Sequence, residues 1–440
     1  MRLSKTMSAL LILLFSSLSL FAQVTTSSVA GVVKTKSGDG LVGATVTATH
    51  QPTGTIYRTI TRKDGGFNIS NMNPGGPYSI EVSFTGFLSQ TQSDIFLSLG
   101  ETGKYDYVLI DKSTVLTEVV VSGARAASNS RGGTETSIGR DKLQNLPTVG
   151  RNIYDFLRSV PQAKLVGSGQ EGAVSIAGQN NRYNAFFIDG AVNNDVFGLS
   201  NSGTNGGQAN LAPISIDAIE QFSVVISPFD ASIGNFTGGG INAITRSGTN
   251  KIDGSLYYFY RNQDLTGKTP TGLKANATKI PNFKNKTYGF RIGGPIIKNK
   301  LFYFLSVEKQ EDARPQPFTA SNYTGTTKGQ SLYDLRDYVK TRYNYDIGDF
   351  TNNVDETNAD RFTVKLDWNI SNKNRLSLSH RYTNGLRINP NVSSNININY
   401  YNNGFRFPSN TNSTSAELKT SIGNGSSNRL LLTFTKVEDN

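Results

Sequence analysis

Seven segments after Lys251 alternate apolar with polar residues, and the connections between them are alternately long and short. Residues 362–370, for example, carry Phe, Val, Leu, Trp and Ile at even positions and Thr, Lys, Asp and Asn at odd ones. The predicted strands are 252–262, 285–294, 301–310, 359–370, 375–384, 412–422 and a seventh after 427. Long connections cover 263–284, 311–358 and 385–411, and short ones cover 295–300, 371–374 and 423–427. Strands of ~9–11 residues with short turns at one end and long loops at the other are typical of a transmembrane β-barrel.

One strand of this kind proves little, because a soluble sandwich alternates in the same way. The regular connections favour a barrel, with Val364 and Leu366 facing outer-membrane lipid and Lys365 facing the lumen. Aromatic residues near the strand ends are expected to form interfacial girdles, namely Tyr257, Tyr258, Tyr260, Phe302 and Tyr303. Large barrels of this kind close with about 22 strands, so residues 251–440 are expected to be the first strands, about seven, of an incomplete antiparallel barrel, and the chain a fragment or truncated product.

Composition excludes several classes of site. The chain has 44 Gly, no Cys and two His, so thiolate metal sites, Cys nucleophiles and a multi-His zinc site are not expected. The net charge of +11 is scattered rather than clustered, so no nucleic acid partner is expected. The mean hydropathy of −0.34 is that of a soluble protein, but alternating strands give such an average too.

Residues 1–22 have the pattern of a secretory signal peptide. Arg2 and Lys5 precede an apolar stretch from Met7 to Phe21, and Ala22 suits a cleavage site. The apolar stretch is shorter than the ~20 residues of a membrane-spanning helix. Export to the cell outer membrane is therefore expected.

Residues 28–111 contain short runs of β-forming residues separated by Gly- and Pro-rich turns, which predicts a β-sandwich. The segment from Thr61 to Phe67, followed by that from Pro77 to Val82, resembles the carboxypeptidase-regulatory-like domain. The resemblance implies an immunoglobulin- or transthyretin-like sandwich without catalytic residues. A role as a spacer or docking module is expected.

Residues 112–139 form a small, polar linker around a β-branched run of Leu116, Thr117, Glu118, Val119, Val120 and Val121. Such a run can add to the sheet edge of another protein, or it can be the last strand of the preceding sandwich. The run resembles the TonB box of Bacteroidetes receptors, in which an acidic residue precedes a Val run. That resemblance implies that residues 116–121 pair with periplasmic TonB.

Residues 140–250 predict a mixed α/β domain. A short amphipathic helix is expected at 152–157, and strands at 174–178, 185–190, 219–226 and 238–245. The glycines at 238–240 are not a phosphate-binding loop, because the P-loop pattern and a following helix are missing.

The order of motifs in this domain resembles the plug of TonB-dependent receptors, in the Oar-like branch. The residues that carry the match, and that are expected to matter in the plug, are Gly178, Arg182, Asp189, Gly190, Glu220, Gly239, Gly240 and Asn242. The sequence departs from the family at Ala177 and at 226–228, where the family has Arg, so salt bridges tied to those Arg residues are not expected here.

The resemblance implies a TonB-dependent outer-membrane receptor or transporter for an extracellular ligand of unidentified class. The alternative is a surface adhesion or glycan-binding structural protein, which would need neither the coupling run nor the plug. An enzyme is not expected, because the chain has no nucleophile elbow and no His beside a nucleophile. No cofactor is expected, and the loop carboxylates Asp189, Asp195 and Asp230 lack EF-hand spacing for Ca²⁺.

Overall fold

The computed structural model describes residues 24–112, 135–146, 148, 150–166, 173–227, 234, 236–268, 279, 282–327, 329–423 and 426–439. The predicted signal peptide at 1–22 and the predicted coupling run at 116–121 lie outside the described residues. Three folded units are present: a sandwich, a plug and a wall of long strands.

The sandwich confirms the fold predicted for its range. Its strands are β1 (Ser27–Thr35), β2 (Thr45–His50), β3 (Thr55–Ile60), β4 (Gly66–Met72), β5 (Gly75–Ser83), β6 (Gln90–Leu97), β7 (Thr102–Lys104) and β8 (Tyr107–Leu109). One sheet has the order β4-β1-β7 with β8 also paired to β1, and the other has the order β3-β2-β5-β6. Between the sheets lies an apolar core that includes Val29, Ile80 and Tyr107. Alternating inward residues therefore give this unit a core of its own.

The plug is a mixed α/β unit, as predicted. It contains β9 (Glu135–Ile138), α1 (Arg140–Asn145), α2 (Ile153–Leu157), β10 (Ala163–Leu165), β11 (Val174–Ile176), β12 (Ala185–Ile188), β13 (Ala191–Val192), β14 (Ile219–Val225) and β15 (Gly240–Thr245). Its main sheet has the order β13-β12-β15-β14-β9. Helix α2 begins at an Asn152 cap, whose side chain accepts from the backbone of Asp155 at 3.1 Å, and it buries Phe156 against Phe222.

The wall is a seven-stranded antiparallel sheet in sequence order, as the alternating connections predict. Its strands are β16 (Asp253–Asn262), β17 (Lys284–Ile297), β18 (Leu301–Gln316), β19 (Asn353–Asn369), β20 (Asn374–Asn389), β21 (Phe405–Gly423) and β22 (Ser426–Asp439). Helix α3 (Gly329–Tyr343) lies within one long connection. Among the described residues the sheet is not closed into a barrel, and no described helix has the length and apolarity to cross a membrane.

The two faces of the wall differ as the alternation predicts. Val364 and Leu366 lie on the outer face, whereas Lys365 points at the plug. Outer positions of neighbouring strands are also apolar, since Leu366 pairs with Tyr303 on one side and with Leu378 on the other. The apolar band ends where Lys309 pairs with Asp360, whose charged groups are 3.5 Å apart. The wall thus presents an apolar surface outwards and a polar surface to the plug.

Two aromatic assignments are wrong. Tyr257 was expected in an interfacial girdle, but its hydroxyl donates to Glu308 on the plug side of the wall at 2.9 Å. Phe302 is 2% exposed and also lies on the inner face. Both occupy the inward parity of their strands, whereas Tyr258 and Tyr303 have the outward parity. Strand parity therefore decides the environment of these rings more directly than their closeness to a strand end.

Candidate functional site

The plug is seated on the wall mainly through charged and hydrogen-bonding side chains. The plug contacts the wall in three groups of residues, and each group joins a plug loop to inward side chains of strands between β16 and β22. Two apolar contacts complete the seat: Leu211 of the plug meets Ala359 and Phe407 of the wall, and Phe304 of the wall packs into the apolar core of the plug. The chemistry of the seat therefore differs from that of the plug interior, which is apolar.

The first group is centred on Glu308 of β18. One carboxylate oxygen accepts from Arg361 at 2.8 Å, and both side chains are 4% exposed. The other accepts from Ser215 of the plug at 2.8 Å and from Tyr257 at 2.9 Å. Arg361 also donates to the carbonyl of Ala212 at 3.0 Å. These hydrogen bonds tie the 211–216 loop to strands β16, β18 and β19.

The second group lies closer to the long connections. Arg387 of β20 donates to both oxygens of Asp355 at 2.9 and 3.2 Å. It also reaches the carbonyl of Gln208 in the plug at 3.4 Å. Beside this group Leu211 approaches Gly385 so closely that a Cβ on Gly385 would lie 2.2 Å from the Leu211 side chain. Glycine is required there because the backbone and the leucine are in direct contact.

The third group is built around Asp189, one of the predicted plug residues. Asp189 has φ 49° and accepts from the backbone and hydroxyl of Thr245 at 2.9 and 2.7 Å. From the wall, the Ser379 hydroxyl lies at 3.2 Å and the Lys365 ammonium at 3.8 Å. Lys365 also donates to the Thr245 carbonyl at 3.2 Å. The predicted Asp-Gly pair is thus a direct contact between plug and wall.

Gly190 completes this contact. It has φ 79°, and a Cβ built on it would lie 2.5 Å from the side chain of Leu431 in β22. A side chain at this position would therefore suffer both backbone strain and a collision with the wall.

The other predicted plug residues separate into two sets. Glu220 accepts from Arg140 at 2.7 Å, and the amide of Asn242 donates to the carbonyl of Val24. Gly239 packs so closely on Ile176 that a Cβ would lie 2.6 Å from it, and Gly240 is as close to Phe236. Gly178 and Arg182, by contrast, are exposed and belong to turns away from the wall. The structure therefore brings Asp189, Gly190 and Glu220 towards one region and leaves Gly178 and Arg182 outside it.

A polar cavity of about 140 Å³ lies where the three units meet. The sandwich contributes His50 to its lining, the plug contributes Asp189 and Glu220, and the wall contributes Lys365 and Glu417. No group of three or more metal-ligating side chains is found in the described part of the chain. The cavity therefore brings charged side chains of all three units together in one gap.

Two ionisable groups in the plug show how strongly this region is desolvated. Burial raises the pKa of Asp217 above its usual value, although the cation of Arg151 beside it acts in the opposite direction. Burial lowers the pKa of Arg246 to about 10. The guanidinium of Arg151 lies 3.8 Å from the ring centre of Phe259 in the wall, which adds a cation–π contact. Charges in the seat are therefore held by specific partners rather than by water.

Several residues of the seat were missed by the sequence analysis. Glu308, Arg361, Asp355 and Arg387 were not singled out, although each stands at an inward position of a strand. Strand parity could have identified these residues, because a charged side chain on the lumen side of a strand has the plug as its nearest partner.

Family comparisons agree with this architecture unit by unit. Residues 28–109 match the family described as Carboxypeptidase regulatory-like domain. Residues 127–241 match TonB-dependent Receptor Plug Domain, and residues 244–337 match Outer membrane beta barrel domain. The three matches follow one another in the same order as the three folded units.

Among curated relatives, the chain is 25% identical over 353 residues to the TonB-dependent transporter Oar of Myxococcus xanthus, a match that covers 75% of this chain and 30% of Oar. It is 27% identical over 179 residues to PirA of Acinetobacter baumannii, described as a probable TonB-dependent siderophore receptor, with 38% and 22% covered. The chain thus spans less than a third of the length of these relatives.

Among solved structures, the ferric enterobactin receptor PfeA of Pseudomonas aeruginosa in complex with BCV-L6 is 16% identical with a TM-score of 0.49, covering 69% of this chain and 41% of that one. The siderophore receptor PirA of Acinetobacter baumannii is 16% identical with a TM-score of 0.47, covering 69% and 40%. On its three domain matches and its similarity to Oar, the chain belongs to the TonB-dependent receptors of the cell outer membrane, a family of receptors and transporters rather than enzymes.

Proposed function

We propose that this chain is the plug-bearing part of an energy-coupled transporter, in which residues 116–121 pair with TonB and the pull displaces the plug. A β-branched run between two folded units can add as a strand to the sheet edge of a partner, with main-chain hydrogen bonds providing the grip. The ligand would then pass between the plug and the wall.

The observation that carries the proposal is the position of β9. This strand begins at Glu135, so the plug sheet starts within the range 112–139 that was predicted to be linker. It lies at the edge of the plug sheet, paired with β14. Tension on residues 116–121 would therefore reach the plug first at an edge strand of four residues. Such a strand can leave its sheet while breaking few hydrogen bonds.

The chemistry of the seat supports the same proposal. The plug meets the wall through ion pairs and hydrogen bonds such as Glu308–Ser215 and Lys365–Thr245. Polar groups that part from one another can be solvated by water in the lumen, whereas a large apolar interface would resist separation. The wall contributes Phe304 to the apolar core of the plug, so the apolar contact that must also part is centred on this one ring.

The ligand would approach from the end of the long connections. There the plug exposes Val196, Phe197 and Leu199 on one loop, with side chains 64 to 83% exposed. Apolar side chains so exposed on a loop suit contact with a ligand.

Replacing Val120 by Pro tests the coupling. Proline removes a backbone donor from the run and should abolish crosslinking to TonB while ligand binding at the cell surface persists. Ala127→Pro, in the same linker but outside the run, is the matched control and should crosslink normally. Unchanged crosslinking and uptake in the Val120→Pro receptor would refute the proposal.

A further inference from the structure

The β2–β3 hairpin of the sandwich is fitted against the first short turn of the wall. The backbone of Asn250 donates to the Pro52 carbonyl at 2.8 Å. Asn250 and Asn299, which hold this turn, are joined by two hydrogen bonds of 2.7 and 2.8 Å. Gly54 lies so close that a Cβ built on it would be 2.2 Å from the amide oxygen of Asn299. A side chain at position 54 would therefore require Asn299 to move, and the positive φ of 64° would strain it as well.

The same hairpin also contacts the second short turn. Arg375 places its guanidinium 3.9 Å from the ring centre of Tyr57 and donates to the carbonyl of Ile56 at 2.8 Å. Asn369, on the other side of this turn, donates to the Thr55 hydroxyl at 2.9 Å. The sandwich therefore contacts residues on both sides of the second short turn, in addition to its contact with the first short turn.

The segment before β1 joins the sandwich to the plug as well. The Val24 carbonyl accepts from Asn242 of the plug, and the Thr25 hydroxyl donates to Glu417 of the wall. Together with the hairpin, this segment covers the cavity beneath the plug, into which His50 faces from the sandwich side. The docked sandwich therefore stands between the plug and the short-turn side of the wall.

We propose that the sandwich is a latch on the plug. Docked through residues 52–57 on the short turns, it closes the periplasmic side of the plug at rest, and it leaves when the receptor is energised. The release step rests on the proposed function, whereas the docked state does not.

The connectivity explains how one pull would open the latch. The linker that contains residues 116–121 joins Lys112 of the sandwich to Glu135 of the plug. A partner that pulls the middle of this linker pulls both units. The sandwich is bound to the wall by polar groups, whereas its own strands enclose an apolar core, so it would detach as a folded unit rather than unfold.

An engineered disulfide tests the latch, and because the chain has no Cys the background is clean. The Cβ built on Gly54 lies 3.4 Å from the Cβ of Asn299, close to the separation of ~3.5–4.5 Å found in disulfides. The double variant Gly54→Cys with Asn299→Cys should crosslink rapidly in outer membranes of intact cells treated with a protonophore. Gly43→Cys with Asn299→Cys is the matched control, since Gly43 also has a positive φ but nothing within 4 Å of its Cβ.

The measurement compares the rate of disulfide crosslinking with and without the proton gradient. We expect the rate to fall at least about threefold when the proton gradient is restored, and to stay high under both conditions when Val120→Pro is added. A rate no greater than that of the Gly43 control would overturn the docked state. A crosslinking rate that does not depend on the proton gradient would overturn the release step. A rate that still falls in the Val120→Pro receptor would leave the latch intact and instead contradict the role of residues 116–121.

A second pair of Cys substitutions controls for misfolding that a side chain at Gly54 would cause. Thr55 and Asn369 are joined by a hydrogen bond, and neither has a positive φ. Thr55→Cys with Asn369→Cys, bridged by a short bismaleimide, should follow the same dependence on the gradient. Failure of both pairs to crosslink, in receptors that reach the outer membrane, would reject the docking.

Discussion

At the scale of single residues, the Glu308–Arg361 pair is the most demanding contact of the seat, because both side chains are buried. Removing one partner leaves an unpaired buried charge, which costs about 3–5 kcal/mol. Arg361→Met should therefore loosen the plug and lower the heat resistance of the folded receptor on gels. Lys286→Met is the matched control, because its pair with Glu311 is partly exposed to solvent and should contribute little to stability. Equal loss of heat resistance in the two variants would contradict the assignment.

His50 gives the sandwich a dependence on pH. Burial lowers its pKa from 6.5 to about 4, so the unfolded sandwich binds a proton in this range that the folded one does not. The part of the sandwich's stability that is linked to His50 is fully present above pH 6.5. It is lost as the pH falls towards 4, by roughly 3 kcal/mol in all. Hydrogen exchange of the sandwich strands in the intact receptor should accelerate over this window. His50→Gln should remove most of the dependence, and an unchanged pH profile in that variant would place its origin elsewhere.

Residue identity alone predicted part of the seat. Asp189 and Gly190 were found from their motif, and the structure assigns them a contact with the wall. Lys365 was placed in the lumen by parity, but its bond to the Thr245 carbonyl could not be foreseen. Partners that lie more than 100 residues away in the chain are determined by tertiary packing, which no local pattern encodes.

At the scale of elements, the wall strands from β17 onwards are longer than the predicted ones. Strand β19 begins at Asn353 rather than at 359, and apart from Val354 its extra residues are polar on both faces. They continue the ladder with β18 above the apolar band, where water faces both sides, so the apolar alternation that signals a strand is missing. Strand β9 was missed for a related reason, because its sequence is largely polar and its pairing with β14 holds it in the sheet.

The apolar band makes a direct prediction for β19. Leu366 lies within the band, so Leu366→Arg should cost ~2–4 kcal/mol and impair assembly of the receptor. Asn358→Arg is the matched control, because Asn358 lies on the same face of the same strand but beyond the Lys309–Asp360 row. Assembly is measured by resistance to heat on gels. If both variants assembled equally well, the outer face would not be in contact with lipid.

At the scale of the whole molecule, three units share one junction. The sandwich, the plug and the wall each have contacts with the other two, and the linker enters between the first and the second. The order of the units and the strand count of the wall followed from sequence patterns, but the docking of the sandwich did not, since it depends on polar turn residues without any pattern. An adhesion protein would have no use for a plug seated by ion pairs, so the architecture favours coupling.

The central claim is that residues 116–121 bind TonB as a strand added to the edge of its sheet. The most direct measurement places a single Cys at each position from Leu116 to Val121 in turn and records disulfide formation with Cys residues on the exposed edge of TonB. Side chains of a strand alternate between two faces, so crosslinking should be strong at alternate positions, weak between them, and lost in the Val120→Pro background. Crosslinking that is uniform along the run, or that survives the proline, would contradict the account.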